Sequence, residues 1–395
     1  MKLLFLANRT PYPPYRGDKL KIYHLAKRLA AMGHELHLVT FALTKEDLGW
    51  DAELKKIFTA VHQVYLPKWK SALHCLTAAW NRKPLQVLYF ESEEMAAKLK
   101  DVLAADDFDA VHVQHLRMAP YLAKHQGLPR ILDLPDAFSL YWQRRQKTTQ
   151  NLATRAFQRL EQKRLLQCER VIKRYDLALA CSIEDIRYLE QKHGITNLKL
   201  LPNGVDLSTF HLREHDYSHN NTLLFTGNMD YAPNVDAAIF FCREILPIIR
   251  KAQPLIQFII AGQRPVQSIT NLREDGVEVT GFVPDIAAMY DRASVVVAPL
   301  RFGAGTQNKV LEAMATGVPV VCTEVGFSGL GIEDGEGVFM RTDAAAFAAQ
   351  VLALLSDGEL RARTGLAGAK VARERFGWDA VTRQLEGYLT SIAKP

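Results

Sequence analysis

The stretch FGAGTQNKVLEAMATGVPVV, residues 302–321, joins a glycine loop, a lysine, a glutamate and an apolar strand within twenty positions. Before it, SVVVAPL at 294–300 reads as a buried strand. After the loop, a helix is expected to start near Thr306 and to lead into the strand VPVVCT at 318–323. Strand, glycine loop, helix, strand is the repeating unit of a parallel α/β sheet with right-handed crossovers. A helix amino end already concentrates partial positive charge, so Lys309 in its first turn costs roughly a few tenths of a kcal/mol. That cost makes sense where an anion sits between the lysine and the helix end. Gly303 and Gly305 let backbone N–H groups approach such a ligand, and the helix start adds its own. Leu311, Met314 and Ala315 are expected to face the sheet, with Lys309 and Glu312 together on the opposite face. The plainer alternative is a tight turn with a local Lys309–Glu312 ion pair worth only tenths of a kcal/mol.

The alternation continues in both directions. KLLFLA (2–7), ELHLVTF (35–41), AVHVQH (110–115), RILDLPD (130–136) and LALACS (177–182) read as strands. Asp18 is placed to cap a helix over 19–32, with Gly33 as its stop. A second series starts at TLLFTGNM (222–229) and runs through a helix at 235–251, IQFIIAG (256–262), VEVTGFV (277–283) and a helix at 285–293. Two such series predict two doubly wound α/β domains. Pro202-Asn203-Gly204 is turn chemistry and marks the boundary, giving domains 1–200 and 201–375. The helical tail 376–395 is expected to pack back on the first domain.

With 395 residues, 48% hydrophobic and 23% charged, the chain has an ordinary globular composition. The apolar run before Asn8 is too short for a signal peptide, and no stretch is apolar enough to span a membrane. Cys75, Cys168, Cys181, Cys242 and Cys322 form no CxxC pair and read as reduced cytoplasmic thiols. The net charge of +6 is unevenly spread, because residues 141–175 hold ten Lys/Arg against Glu161 and Glu169. Arg155, Arg159 and Lys163 step by four, and Arg170 and Arg174 are expected to continue that helical face. The stripe is either a solvated face or a surface for anionic lipid headgroups or acidic acceptors. Few aromatics are interleaved and no nucleic-acid motif is present, which disfavours nucleic acid.

The opening stretch is neither a P-loop, since no GxxxxG run precedes the lysine, nor GxGxxG, since Asn308 stands at the last glycine. The first βα loop has no dinucleotide fingerprint either, so a nicotinamide dehydrogenase is disfavoured.

LLPNGVDLSTF, LLFTGNMDYAPNVDA, GFVPDIAAMYDRASVVVAPL and GAGTQNKVLEAMATGVPVV, in this order, resemble glycosyltransferase family 4, enzymes of the two-Rossmann GT-B fold. MDYAPNVDAAIFF and RGDKLKIYHLAKRL are similar, within that family, to sugar transferases of exopolysaccharide loci associated with the PEP-CTERM/exosortase system. The resemblance implies parallel sheets facing across a cleft and a nucleotide sugar, UDP- or GDP-linked, clamped chiefly by the C-terminal domain. It implies that Glu312 accepts hydrogen bonds from the ribose and that Lys309 binds the diphosphate, the anion inferred above. The family's first glutamate falls at Ala304, so backbone N–H groups around Gly303–Gly305 and Thr306 would replace its contact to the donor sugar. The usual Arg and Lys after the first strand of the C-terminal domain are replaced by Gly227-Asn228-Met229 and Pro233-Asn234. Charge compensation then falls to Lys309, helped by Arg264, Arg301 or Arg16. Base contacts are expected near Phe282 and Val283.

In the N-terminal half, Arg16 and Gly17 match the phosphate-side loop, and His115 matches a histidine beside the donor sugar. His112 reads as packed core. Asp133 and Asp136, at a strand end, are candidates for the acceptor or for a turn cap. Family members retain anomeric configuration, by front-face attack in which the departing phosphate takes the acceptor's proton. No DxD-like pair stands at a strand end, so neither metal nor other cofactor is expected. The basic segment and the missing span together point to a lipid-linked glycan acceptor met at the inner face of the plasma membrane. Two other readings stay open: a GT-B epimerase or hydrolase of nucleotide sugars, and a non-catalytic donor-binding partner of a polysaccharide synthase.

Overall fold

A computed structural model describes residues 1–14, 17–125, 127–212, 217–218, 221–303 and 305–393, except the side chain of Ala79. The chain divides into one unit of Met1–Leu201 with Val381–Pro395, and a second of Pro202–Ala380.

The first unit holds a seven-stranded sheet ordered β3-β2-β1-β4-β5-β6-β7. Its strands are β1 (Lys2–Ala7), β2 (Glu35–Ala42), β3 (Ala60–Tyr65), β4 (Ala110–Gln114), β5 (Arg130–Leu134), β6 (Leu177–Ala180) and β7 (Leu198–Leu200). All its pairings are parallel; Leu3 of β1 stands opposite both Leu36 of β2 and Ala110 of β4. β1 is apolar along its length and Leu3–Ala7 are fully buried, as a central parallel strand covered on both faces requires. Helix α1 (Gly17–Ala31) buries Lys21, Ile22, Leu25, Ala26 and Leu29, an i, i+1, i+4 pattern that lays one stripe on the sheet. Further along lie α2 (Lys68–Leu76), α3 (Phe138–Thr148) and α4 (Leu152–Cys168).

The second unit has six strands ordered β10-β9-β8-β11-β12-β13. They are β8 (Thr222–Thr226), β9 (Gln257–Ala261), β10 (Val277–Gly281), β11 (Val295–Ala298), β12 (Val320–Cys322) and β13 (Val338–Met340). Successive residues feed opposite cores. Leu223, Phe225, Val295 and Val297 pack on one side of the sheet, and Leu224, Val296 and Ala298 on the other. The second side is closed by Val310, Leu311, Met314 and Ala315 of helix α7 (Asn308–Thr316). Between β8 and β9 runs α5 (Ala232–Phe240), and before β11 the short α6 (Ala287–Asp291). The last helix, α8 (Trp378–Ile392), carries the chain back to the first unit, where Gln384 and Tyr388 donate to the Leu200 carbonyl at 2.9 and 3.0 Å.

Several expected elements differ in detail. The helix expected at 235–251 starts at Ala232, because Pro233 suits a first turn, and a π-turn at Phe241–Ile245 interrupts it just before Pro247. Asp18 lies inside the first turn of α1 instead of capping it. The basic face expected from Arg155 to Arg174 is not one helix face: α4 ends at Cys168 and a 3-10 turn carries Glu169–Arg174.

Candidate functional site

In the second unit the strand order reverses between β8 and β11, and the chain leaves their carboxyl ends in opposite directions. Open α/β sheets hold ligands at such a point. After β8 come Gly227 and Asn228; after β9, Gly262, Gln263 and Arg264. These two loops interlock. Gly227 N–H donates to Ala261 O at 3.0 Å, and Met229 N–H to Gln263 O at 2.9 Å. A Cβ on Gly262 would stand 1.7 Å from the Gly227 carbonyl oxygen, so only glycine fits the crossing. Asn228 is fixed by Gln263, whose amide donates to its Oδ1 at 2.9 Å.

After β11, Gly303 takes φ 153° and Gly305 φ 72°, while Ala304 lies outside the described residues. The loop's exit is pinned by Asn203 of the PNGVD motif, which donates to Thr306 O at 3.2 Å and Asn308 Oδ1 at 3.3 Å. Helix α7 starts at Asn308, two residues later than expected, with no side-chain cap at Gln307.

Lys309 is buried in its first turn. Its Nζ donates to Asn234 Oδ1 at 3.0 Å and lies 5.4 Å from the centre of the Phe225 ring of β8. Asn234 is itself buried and donates through Nδ2 to Asn228 O at 3.0 Å. The ammonium is thereby held by a neutral oxygen, with donor capacity left over. Burial pushes its pKa down to about 8, against the opposing pull of Glu312. Glu312, half-buried, does not close the local pair with Lys309; it accepts from the Tyr290 hydroxyl at 2.7 Å. Tyr290, fully buried on α6, also bonds Thr226 Oγ1 at 2.9 Å. Burial raises the Glu312 carboxyl above the ordinary range, opposed by the Tyr290 hydrogen bond and the Lys309 charge.

Gly227, Asn228, Gly303, Gly305, Thr306, Lys309 and Glu312 thus gather at the carboxyl edge of β8 and β11. Arg301 and Arg264, on the loops after β11 and β9, are each paired with an acid. Arg301 Nε donates to Asp236 of α5 at 2.9 Å, and its guanidinium lies 4.8 Å from the Phe240 ring. Arg264 Nε is 3.2 Å from Asp230. Phe282, exposed, and Val283, packed against the core, follow β10, two strands from β8. Asn234 and Tyr290 are the residues to which sequence reasoning gave no role. Asn234 is 75 positions from Lys309 and Tyr290 is 22 from Glu312, so no local pattern links them.

In the first unit, β4 ends at Gln114 and His115 turns out of the strand with φ 83°, a left-handed conformation costly for a non-glycine residue. Its backbone N–H donates to Asp133 O at 2.7 Å, and its ring stacks on Phe138 at 4.7 Å. Nδ1 accepts the Arg117 backbone N–H at 3.2 Å, which fixes the proton of the neutral ring on Nε2. Burial, then Arg117 and Arg9, hold this imidazole well below its ordinary range. Gly17 is exposed at the start of α1, and Arg16 lies outside the described residues.

Of the two carboxylates, Asp133 requires a correction. Asp133 is fully buried and accepts from Lys21 Nζ at 2.7 Å, with His112 Nε2 at 3.3 Å from its other oxygen. It is a core ion pair and offers an acceptor nothing. Burial opposes its charge, but Lys21 and His112 hold its pKa below the usual range. Asp136, half-buried one turn on, is pushed up to about 8 by burial and by Asp185.

Residues 22–209 match the profile of Glycosyltransferase Family 4, and residues 220–357 that of Glycosyl transferases group 1. Both halves of the chain thus match models of glycosyltransferase families. A Klebsiella pneumoniae relative, an uncharacterized 44.6 kDa protein in the cps region, is 28% identical over 34% of this chain and 37% of its own. Phosphatidyl-myo-inositol mannosyltransferase of Mycobacterium leprae is 27% identical over 49% of this chain and 53% of its own. The chain therefore spans about half or less of the curated relatives it first matches. Among solved structures, Anabaena HepE in complex with UDP-glucose superposes with a TM-score of 0.67 at 18% identity, over 99% of this chain and 100% of that one. That likeness places this chain in the GT-B fold class, with two doubly wound parallel-sheet domains.

Proposed function

We propose that this chain is a retaining glycosyltransferase that moves a sugar from a UDP- or GDP-linked donor to a glycan or lipid-linked acceptor in exopolysaccharide assembly. The observation that carries the reading is the Lys309 ammonium, held at the β8–β11 edge by the neutral oxygen of Asn234 and three residues from Glu312. A neutral partner fixes the lysine while leaving its charge for a diphosphate. In the proposed step the bond from C1 of the sugar to the diphosphate oxygen breaks, and the acceptor oxygen bonds C1 on the same face. The acceptor's proton passes to the departing diphosphate. Lys309 and the amino end of α7 oppose the charge that develops there, the kind of fixed electrostatic stabilisation that dominates many active sites. Glu312, aimed by Tyr290, is assigned to the ribose, and His115, donating through Nε2, to a sugar hydroxyl. With the leaving-group charge met by lysine and helix end, turnover is proposed to need no metal.

The relative from the cps region and the phosphatidyl-myo-inositol mannosyltransferase support a glycan or lipid-linked substrate, and the UDP-glucose held by HepE supports the donor class. Among the described residues no helix is long and apolar enough to cross a membrane. Contact with a lipid-linked acceptor is therefore assigned to peripheral docking of the basic 141–175 segment.

A thermal-shift screen over nucleotide sugars tests the donor, since a ligand bound only by the folded state raises its stability. Transfer is then measured with the stabilising donor, lipid extracts and chelator. Stabilisation by no nucleotide sugar, or by UDP and GDP sugars no more than by inorganic phosphate, overturns the reading. Conversion of donor without any acceptor transfers the assignment to an epimerase or hydrolase.

A further inference from the structure

Helix α2 turns its large side chains away from the core. Only Ser71 of it is buried, while Trp69, Leu73 and Leu76 are 60, 54 and 69% exposed. Steps of four and three put these three on one helical face. The 3-10 turn Thr77–Ala79 then leads to Trp80, which is 89% exposed. Residues 66–90 around this stripe carry Lys68, Lys70, Arg82 and Lys83, and no Asp or Glu.

Helix α4 is clamped against the end of this segment. Arg164 donates to Ala78 O at 2.6 Å, and Glu161 accepts the Leu85 N–H at 2.9 Å. One turn earlier on the same two ridges stand Phe157 and Leu160, both exposed, with Arg159 and Lys163 exposed beside them. The two acids of this basic segment are withdrawn inside the unit. Glu161 is buried on Arg164 at 2.8 Å, and Glu169 is buried on Ser139 and on His193 at 3.1 Å. Lys70 and Lys83 are paired with Glu94 and Glu91, so the outward face owes its positive charge to Lys68, Arg82, Arg159 and Lys163.

We propose that this face, Trp69, Leu73, Leu76 and Trp80 with Phe157 and Leu160, is a docking surface for an anionic lipid bilayer. The apolar stripe enters the headgroup–acyl boundary, where tryptophan is favoured, and Arg159, Lys163 and Lys68 of α2 meet lipid phosphates. A second copy of this chain fits less well, because a two-fold contact brings each cationic face against itself. The inference rests on the peripheral reading above but assigns the insertion to apolar side chains in 69–80 and not to the charge of 141–175 alone.

The test uses the full chain with vesicles of phosphatidylcholine, with and without phosphatidylglycerol. Wild type is expected to sediment with the anionic vesicles and its tryptophan emission to shift to the blue, with quenching by brominated lipid. The double substitution Leu76→Ser/Trp80→Ser, at two exposed sites, should keep the thermal midpoint and weaken partitioning on the order of tenfold or more. Arg159→Gln/Lys163→Gln should weaken it and flatten its dependence on salt. Unchanged binding by the Leu76/Trp80 variant, or the absence of quenching, overturns the inserted stripe and leaves the charge-driven reading standing. No vesicle binding by wild type overturns both. A concentration-dependent dimer that the same variant abolishes, without vesicle binding, gives the stripe to a second copy and also overturns it.

Discussion

The Lys309 ammonium lies 3.0 Å from the amide oxygen of Asn234, a neutral partner where a carboxylate would have neutralised it. Asn234→Asp is therefore expected to harm more than Asn234→Ala. The new carboxylate would pair with Lys309 and would also face the Asn228 carbonyl, which now accepts from Asn234 Nδ2 at 3.0 Å. Loss of donor affinity on the order of tenfold or more is expected for Asp, about one charge-assisted contact. Calorimetric titration of the donor checks the order, and equal affinity in wild type and Asn234→Asp contradicts it.

The same burial gives a pH dependence of known sign. Lys309 has its pKa lowered to about 8, so its charge is lost as pH rises through that value. Donor affinity should be full below about pH 7 and fall above about pH 8. Stability of the free protein moves the other way, because between about pH 8 and 10 the unfolded lysine still holds a proton that the folded one has released. Lys309→Met should abolish the alkaline gain in stability along with donor binding. Parallel melts and titrations across this range read both slopes, and a flat affinity profile contradicts the assignment.

Tyr290 links Glu312 to Thr226 through one hydroxyl. Tyr290→Phe keeps the ring in its packing but leaves a half-buried carboxylate and a buried threonine short of a partner. A stability loss of about 1–3 kcal/mol is expected from unsatisfied groups of this kind. Donor affinity should fall several-fold while the Lys309 pH profile is retained. Chemical denaturation and donor titration of the one variant separate the two effects.

These relationships mark the limit of what the sequence could disclose. The strand–glycine–helix unit around 302–321 was legible because period, glycines and turn residues are local signals, and they set the α/β class. The candidates Lys309 and Glu312 lie in the first turns of one helix, where the glycine loop singles out the lysine and the family resemblance the glutamate. Their partners were not legible, since Asn234 reaches Lys309 across a strand boundary and Lys21 reaches Asp133 from 112 positions away. Local pattern placed Asp133 at a strand end, where carboxylates often serve ligands. Burial by a lysine on α1 decides otherwise, and only the α1 stripe with Lys21 among its apolar positions hints at it.

Two glycines should answer oppositely to alanine. Gly262 has φ 154° and its Cβ would stand 1.7 Å from the Gly227 oxygen, backbone that cannot swing aside. Gly262→Ala should displace the β8 and β9 loops, lowering the midpoint and donor binding together. Gly387 sits in α8, and a methyl group added there would meet nothing within 4 Å. Gly387→Ala should stabilise by about 0.5–1 kcal/mol through helix propensity alone. Melting curves of both variants check the contrast.

The Lys21–Asp133 pair separates a structural carboxylate from one that serves an acceptor. Both side chains are buried, 2.7 Å apart, with Lys21 also donating to Leu201 O at 3.2 Å. Removing one partner leaves a buried charge alone, so Asp133→Asn and Lys21→Met should each cost roughly 3–5 kcal/mol. The double variant should cost less than the sum of the two, since no lone charge remains. Asp133 has its pKa lowered, so its contribution is present above the ordinary aspartate range and is lost as pH falls through the folded value. Kinetics on the folded fraction should show acceptor KM unchanged in Asp133→Asn. A raised acceptor KM at unchanged stability would return Asp133 to the binding site.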